Sequence, residues 1–163
     1  MIVLAGFMGA GKTTVGRLLA AKLGVPFADS DQVIEERAGK PVHRIFADDG
    51  EPAFRRLEHD VIAELLAGPD LVLAVGGGAA AEPGTRDLLA AAPVVYLRVS
   101  YAEAMRRVGG DRGRPMLART DVGQLYAERD PLYRAAARCT VEVDVRSPEE
   151  IALDILGRLD TAG

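Results

Sequence analysis

The stretch GFMGAGKTT, residues 6–14, directly after the apolar run Ile2–Ala5, constrains this chain more than any other. Its pattern is G-x-x-x-x-G-K-[ST], with Gly6, Gly11, Lys12 and Thr13 at the fixed positions. The glycines at 6, 9 and 11 let the backbone curl so that several N–H groups point inward. The N-terminal end of the following helix adds positive potential at the same place. Such a loop holds the β-phosphate of a nucleotide, with Lys12 between the β- and γ-phosphates and the Thr13 hydroxyl on Mg2+. Met8, Gly9, Ala10, Gly11 and Thr14 complete the expected ATP-binding loop. A Gly-rich turn without a ligand is the weaker reading, because the whole pattern stands between a strand and a helix. The loop names the phosphate donor and leaves the acceptor open.

Beyond the loop, apolar runs at 2–5, 71–75, 94–99 and 140–144, and the approach Pro26-Phe27-Ala28 to Asp29, read as five strands. Helical spacing of Val15, Leu18, Leu19 and Leu23 ends at Gly24. A short helix begins at Val33 and closes at Gly39. A longer one runs over 50–66 with Phe54, Leu57, Val61 and Leu65 on one side. Further helices are expected at 85–91, 101–108 and 121–138, the last bent or broken by Pro131, and a final one opens at Pro148. Apolar strands alternating with helices predict an α/β fold: a parallel sheet with helices on both faces. No repeat, linker or low-complexity stretch divides the chain, so residues 1–163 read as one domain.

Composition narrows the partners. Charged side chains number 20 basic against 24 acidic, a net −4, which argues against a generic nucleic-acid binder. Anion sites must therefore come from local arginine clusters. Cys139 is the lone cysteine, so no intrachain disulfide or cysteine-based metal site is expected. His43 and His59 lack metal-ligand spacing and read as surface or partly buried helix residues. MIVLAG reads as a buried strand, not a signal peptide. No stretch reaches the roughly 20 apolar residues of a membrane span. The expectation is a cytoplasmic protein with no nucleic-acid or membrane partner. The lack of a long exposed apolar stripe favours a monomer.

Candidate acceptor residues follow the loop. Asp29-Ser30-Asp31 stands at the predicted carboxyl end of a strand, where open α/β sheets bind ligands. If both carboxylates lie on the strand they share a side, one supporting Mg2+ through water and the other taking a proton from a substrate hydroxyl. A helix-capping turn is an equal reading. Arg55 could reach a carboxylate as a fork, or could be half of a surface basic pair with Arg56. Gly76-Gly77-Gly78 after a buried strand suits close approach of a ligand to the backbone. The polar stretch 109–115, GGDRGRP, reads as a mobile loop whose Arg114 could close over the γ-phosphate; a solvated loop is the alternative, above all for Arg112.

Together these segments resemble the shikimate kinases, small ATP-dependent kinases of the P-loop class. The resemblance is carried by GFMGAGKTTVGRLLA (6–20), FADSD (27–31), IFADDGEPAFRRLE (45–58), GGG (76–78), RPML (114–117) and ERDPLY (128–133). It implies a five-stranded parallel sheet in the order 2-3-1-4-5, an acceptor-binding helical segment at about 31–60 and a lid at about 109–120. It implies transfer of a phosphoryl group from ATP to shikimate, giving shikimate 3-phosphate on the route to chorismate. By the resemblance, Lys12 and Thr13 serve ATP and Mg2+, with Asp29 supporting the metal. Asp31 addresses the acceptor hydroxyl as base. Arg55 and Arg129 grip the shikimate carboxylate, helped by the backbone at Gly76, Gly77 and Gly78. Arg114 is the lid arginine, and Arg107 and Arg146 flank the adenine. Glu58, Phe46 and Phe54 support the acceptor pocket, Glu58 by positioning the arginine. One departure stands out. The segment ARTDVGQLYA (118–127) is shorter than the family usually has, which would start the helix carrying Arg129 late.

Overall fold

Ile2, Val3, Leu4 and Ala5 are each at most 5% exposed. Successive side chains of a strand point to opposite faces, so this strand must be covered on both sides. The computed structural model, which describes residues 1–108 and 119–161, meets that demand. Its elements are β1 (Ile2–Ala5), α1 (Lys12–Leu23), β2 (Phe27–Asp29), α2 (Ser30–Ala38), α3 (Val42–Asp49) and α4 (Glu51–Ala67). After these come β3 (Val72–Ala74), a 3-10 turn (Ala79–Ala81), α5 (Pro83–Ala90), β4 (Val94–Arg98) and α6 (Tyr101–Val108). The chain closes with α7 (Arg119–Ala136), β5 (Cys139–Glu142) and α8 (Pro148–Thr161). The five strands are all parallel and lie in the order β2-β3-β1-β4-β5. This is the expected sheet. Helix α1 packs with α8, while α7 lies against β4 and α5.

Register brings the carboxyl ends together. Asp29 pairs with Ala74, Ala74 with Leu4, and Leu4 with Val95. The residues just past these pairs (Gly6, Ser30 and Gly76) therefore emerge at one edge. The chain reverses its order across the sheet at β1, and an open α/β sheet binds ligands at that point.

Four helices depart from the sequence expectation. Helix α2 begins at Ser30 rather than Val33, because the Asp29 side chain caps it, accepting from the N–H groups of Asp31 and Gln32. Helix α3 was not read from the periodicity, though it falls inside the helical segment at about 31–60 that the resemblance implied. On α4 the buried face carries Phe54, Glu58, Val61 and Ile62, whereas Leu57 is 39% exposed. Helix α7 is not broken at Pro131, which is exposed while Tyr133 and Ala136 are buried in the core. It also starts by Arg119, ten residues ahead of Arg129, so the shortened segment does not delay it.

Helices α2, α3 and α4 hold a small core of their own, Ile34, Ile45, Phe54 and Val61, distinct from the main core around the sheet. One glycine fixes how α1 seats on the sheet. A Cβ on Gly16 would stand 2.5 Å from Phe27 Cε2 and 3.3 Å from Leu4 Cδ1. Gly16→Ala is expected to lower the unfolding free energy by about 1–3 kcal/mol, the usual effect of overpacking a tight core, as read by urea denaturation. An unchanged midpoint would mean that Phe27 swings aside freely.

Candidate active site

A cavity of about 560 Å3 opens at the carboxyl edge of the sheet. One wall is the loop between β1 and α1: Met8, Gly9, Gly11, Lys12, Thr13 and Thr14 line it. Gly9 and Gly11 have φ of 81° and 87°, left-handed values that a side chain would resist. Gly11 occupies the N-cap of α1 without a side-chain cap, which leaves the first-turn N–H groups of the helix directed at the cavity. Lys12 Nζ donates to the carbonyl oxygen of Gly6 at 2.8 Å and lies 3.4 Å from that of Phe7. Ala10 is 1% exposed, and its N–H donates to the Phe7 carbonyl, so it shapes the loop from beneath. Arg107, from α6, also lines the cavity; its Nη1 donates to the Gly9 carbonyl at 2.7 Å and its Nε to Glu103 at 2.9 Å.

The opposite wall carries acids. Asp29 and Asp31 both line the cavity, but not by strand alternation. Asp29 ends β2 as the cap of α2, and Asp31 stands in the first turn of that helix. The helix-capping reading of this pair therefore holds, and the cap leaves both residues at the cavity. Burial, with Asp29 next to it, pushes the Asp31 carboxyl up to about 6; Lys12 and Arg55 oppose the shift. Its Oδ1 is buried and has no hydrogen-bond partner.

Between the walls runs Gly76-Gly77-Gly78, all three lining the cavity. A Cβ on Gly76 would fall 2.7 Å from Asp31 Oδ1 and 2.9 Å from Glu58 Oε2. Those two oxygens are the buried, unpartnered ones of the described residues. A Cβ on Gly78 would stand 2.6 Å from Arg55 Nη1, so that guanidinium lies flat on the backbone there. At Gly76 and Gly78 a side chain would push these groups from their places. Ser30, fully buried, fixes the loop from below by accepting the Gly76 N–H at 3.1 Å. Neither Ser30 nor Val75, which lines the cavity, was singled out from the sequence. Both flank motifs that were, and the signal that could have marked Ser30 is its place between the two aspartates.

Arg55 donates to Glu58 Oε1 at 2.8 Å, with Glu51 at 3.4 Å. Glu58 is 1% exposed; burial pushes its carboxyl up, and Arg55 opposes this. Phe46 and Phe54, their rings 4.7 Å apart, lie 5.9 and 5.2 Å from the same guanidinium carbon. Phe46, Phe54, Arg55 and Glu58 are not among the residues lining the main cavity; Arg55 reaches its edge at Gly78 and lines a second opening with Glu51, Arg56 and His59, and the two rings back it. Arg129, from α7, does line the main cavity, beside Gly77. Arg146 does not: it holds Asp154 at 2.9 Å and reaches the Glu142 carbonyl at 3.3 Å. Arg112, Arg114 and the rest of 109–118 lie outside the described residues.

The donor set suits Mg2+. A hydroxyl at Thr13 and a carboxylate at Asp29 line the same cavity, and among the described residues no cluster of three acidic, histidine or cysteine side chains forms a dedicated cage. Mg2+ keeps most of its waters and takes one or two protein ligands beside the phosphates.

A phosphate cradle that shares one cavity with a shielded carboxylate and an arginine defines a P-loop phosphotransferase, an ATP-using kinase of a small acceptor. The comparisons narrow the class. The profile of the shikimate kinase family matches residues 8–160. The shikimate kinase of Thermobifida fusca is 49% identical over 166 aligned positions, covering 100% of this chain and 96% of the relative. That of Mycobacterium avium is 48% identical, covering 96% and 92%. A solved shikimate kinase from Acinetobacter baumannii, in complex with shikimate, superposes with a TM-score of 0.92 at 40% identity, over 99% of this chain and 93% of that one. A gluconokinase from Sinorhizobium meliloti, at 23% identity and a TM-score of 0.62, shares the fold. The chain belongs to the shikimate kinase family.

Proposed function

We propose the following division of labour for the ATP-dependent phosphorylation of shikimate, the activity that goes with the family. The loop N–H groups and the first turn of α1 take the β-phosphate, and Lys12 moves from its carbonyl partners to the β- and γ-phosphates. Thr13 and, through water, Asp29 would hold Mg2+, which would supply charge neutralisation for the phosphoryl transfer. Arg55 and Arg129 receive the shikimate carboxylate, with the Gly77 backbone alongside. Glu58, Phe46 and Phe54 hold Arg55 in place. Asp31 accepts the proton of the attacking hydroxyl while its oxygen forms a bond to the γ-phosphorus and the bond from that phosphorus to the β-bridging oxygen breaks, releasing ADP. Arg114 covers the moving phosphoryl group, and Arg107 and Arg146 flank the adenine.

One observation carries this reading: Asp31 lines the same cavity as Lys12 and Thr13, with its carboxyl lifted by burial. A carboxylate so placed can accept the proton of an acceptor hydroxyl brought against it. The test is ADP release from Mg-ATP in a coupled assay, with shikimate, with gluconate and with neither. Release that depends on shikimate is expected. Release with gluconate alone would overturn the acceptor, and no stimulation by either would overturn the kinase reading.

A further inference from the structure

Tyr133 has no part in the scheme above, yet it meets the acceptor end of the site. It lies one helical turn beyond Arg129 on α7, so the two side chains share a face. It is 1% exposed, with its ring 5.0 Å from that of Tyr96. Its hydroxyl donates to the carbonyl oxygen of Gly77. A Cβ placed on Gly77 would stand 3.4 Å from Arg129 Nη1 and 3.6 Å from Tyr133 Oη. The arginine, the phenol and the glycine thus converge on one point. Burial raises the Tyr133 hydroxyl to about 12, against the nearby charge of Arg129. At working pH the phenol is neutral. It can therefore give its single proton to the Gly77 carbonyl and accept from Arg129 with an oxygen lone pair.

We propose that Tyr133 is a positioning residue for the acceptor, its hydroxyl tying the Arg129 guanidinium to the Gly77 backbone so that both present themselves together. A flexible arginine loses several rotors on gripping a carboxylate, and a guanidinium already held loses fewer. The tie joins α7 to the loop after β3, two elements far apart in the chain. The ring seats against Tyr96 whether or not the hydroxyl is present, so the hydroxyl is where the positioning role departs from ordinary core packing. This inference rests on the assignment of Arg129 to the shikimate carboxylate.

The experiment uses Tyr133→Phe, Arg129→Ala and the double variant, with Tyr96→Phe as a control in the same core. Tyr96→Phe removes a hydroxyl bonded to Asp130 at 2.6 Å, while Asp130 keeps Arg98 and Arg134. Steady-state kinetics give the two KM values, calorimetry gives the shikimate Kd, and thermal melting reports stability. Tyr133→Phe is expected to raise the shikimate KM and Kd about tenfold, as for one lost charge-assisted hydrogen bond, with the ATP KM within about twofold. The double variant is expected to match Arg129→Ala within about threefold, since the phenol acts through the arginine. Tyr96→Phe is expected to lower the melting temperature and leave the shikimate KM within about twofold. If Arg129→Ala raises the shikimate KM but Tyr133→Phe does not, the positioning role is overturned alone. It is equally overturned if both KM values rise together with the loss of melting temperature. An unchanged shikimate KM in Arg129→Ala would overturn the arginine's assignment and the inference with it.

Discussion

Asp31→Asn lowers kcat by roughly 10²- to 10⁴-fold while the KM for ATP stays within about threefold, the pattern of a lost general base. The substitution keeps the shape of the side chain and removes its charge and its capacity to take a proton. Asp31 lines the wall opposite the phosphate cradle, so the ATP contacts of the loop are untouched. Steady-state kinetics with each substrate varied in turn check this. Equal losses in ATP affinity and turnover would mean that Asp31 serves the nucleotide. The pH profile supplies a second reading. The base works ionised, and burial holds its carboxyl at about 6 in the free enzyme. The wild-type kcat/KM for shikimate is therefore expected to fall as pH drops through about 6. In Asp31→Asn that limb disappears from the residual activity.

The same raised value has a consequence for stability, and its sign is fixed. The folded state binds this proton more tightly than the unfolded chain, whose carboxyl titrates near 3.8. The stability it contributes is complete below that value and is lost as pH rises through about 6. By the measured relation between shift and free energy, the wild type gives up as much as about 3 kcal/mol from this group at neutral pH. Asp31→Asn is thus expected to be more stable than the wild type at pH about 8 and closer to it at pH about 4, a difference urea denaturation resolves. An inactive variant that is also more stable is what a site maintained against its own folding energy should give.

The nucleotide half of the site was legible because its signals are local. A strand, a glycine turn and a helix N-terminus are consecutive in sequence, and the structure sets them side by side as β1, loop and α1. The acceptor half was legible as a set of residues but not as a geometry. For Asp29 and Asp31 the period of two offered one strand and a helix-capping turn was the equal reading; the cap is what brings them together. Spacing alone could not distinguish these, since aspartate serves both. Glu58 shows the limit more sharply. Apolar periodicity put Leu57 inside, yet Glu58 takes the buried place at i+4 from Phe54. A buried carboxylate runs against the ordinary preference and becomes intelligible only with Arg55 donating to it and the glycine loop beyond. Helix α3 is only eight residues long, with one buried side chain, Ile45, so its pattern was too short to read. The link from Tyr133 to Gly77 spans 56 residues, and no local pattern announces it.

Arg55→Ala raises the shikimate KM by roughly 10- to 100-fold, the worth of a charge-assisted hydrogen-bond pair, and leaves the ATP KM nearly unchanged. It also weakens the fold, for a separate reason. The Arg55 side chain is 14% exposed and Glu58 1%, so the substitution strands a carboxylate inside the protein. Breaking such a pair from one side costs about 3–5 kcal/mol, less whatever Glu58 recovers by taking up a proton. Burial already holds that carboxyl above its ordinary value, and losing Arg55 raises it further. The destabilisation is therefore smallest at acid pH, where Glu58 is protonated, and grows as pH rises through its folded value. The double variant Arg55→Ala/Glu58→Gln separates the two effects. It removes the stranded charge, so most of the stability lost at pH about 8 returns in urea denaturation, while the shikimate KM stays high. Arg55→Lys falls between: the charge survives and the fork does not, so the shikimate KM rises less than in the alanine variant. A double variant that regained the wild-type KM would show that Arg55 acts only by neutralising Glu58, and the carboxylate of the acceptor would have to be held by Arg129 alone.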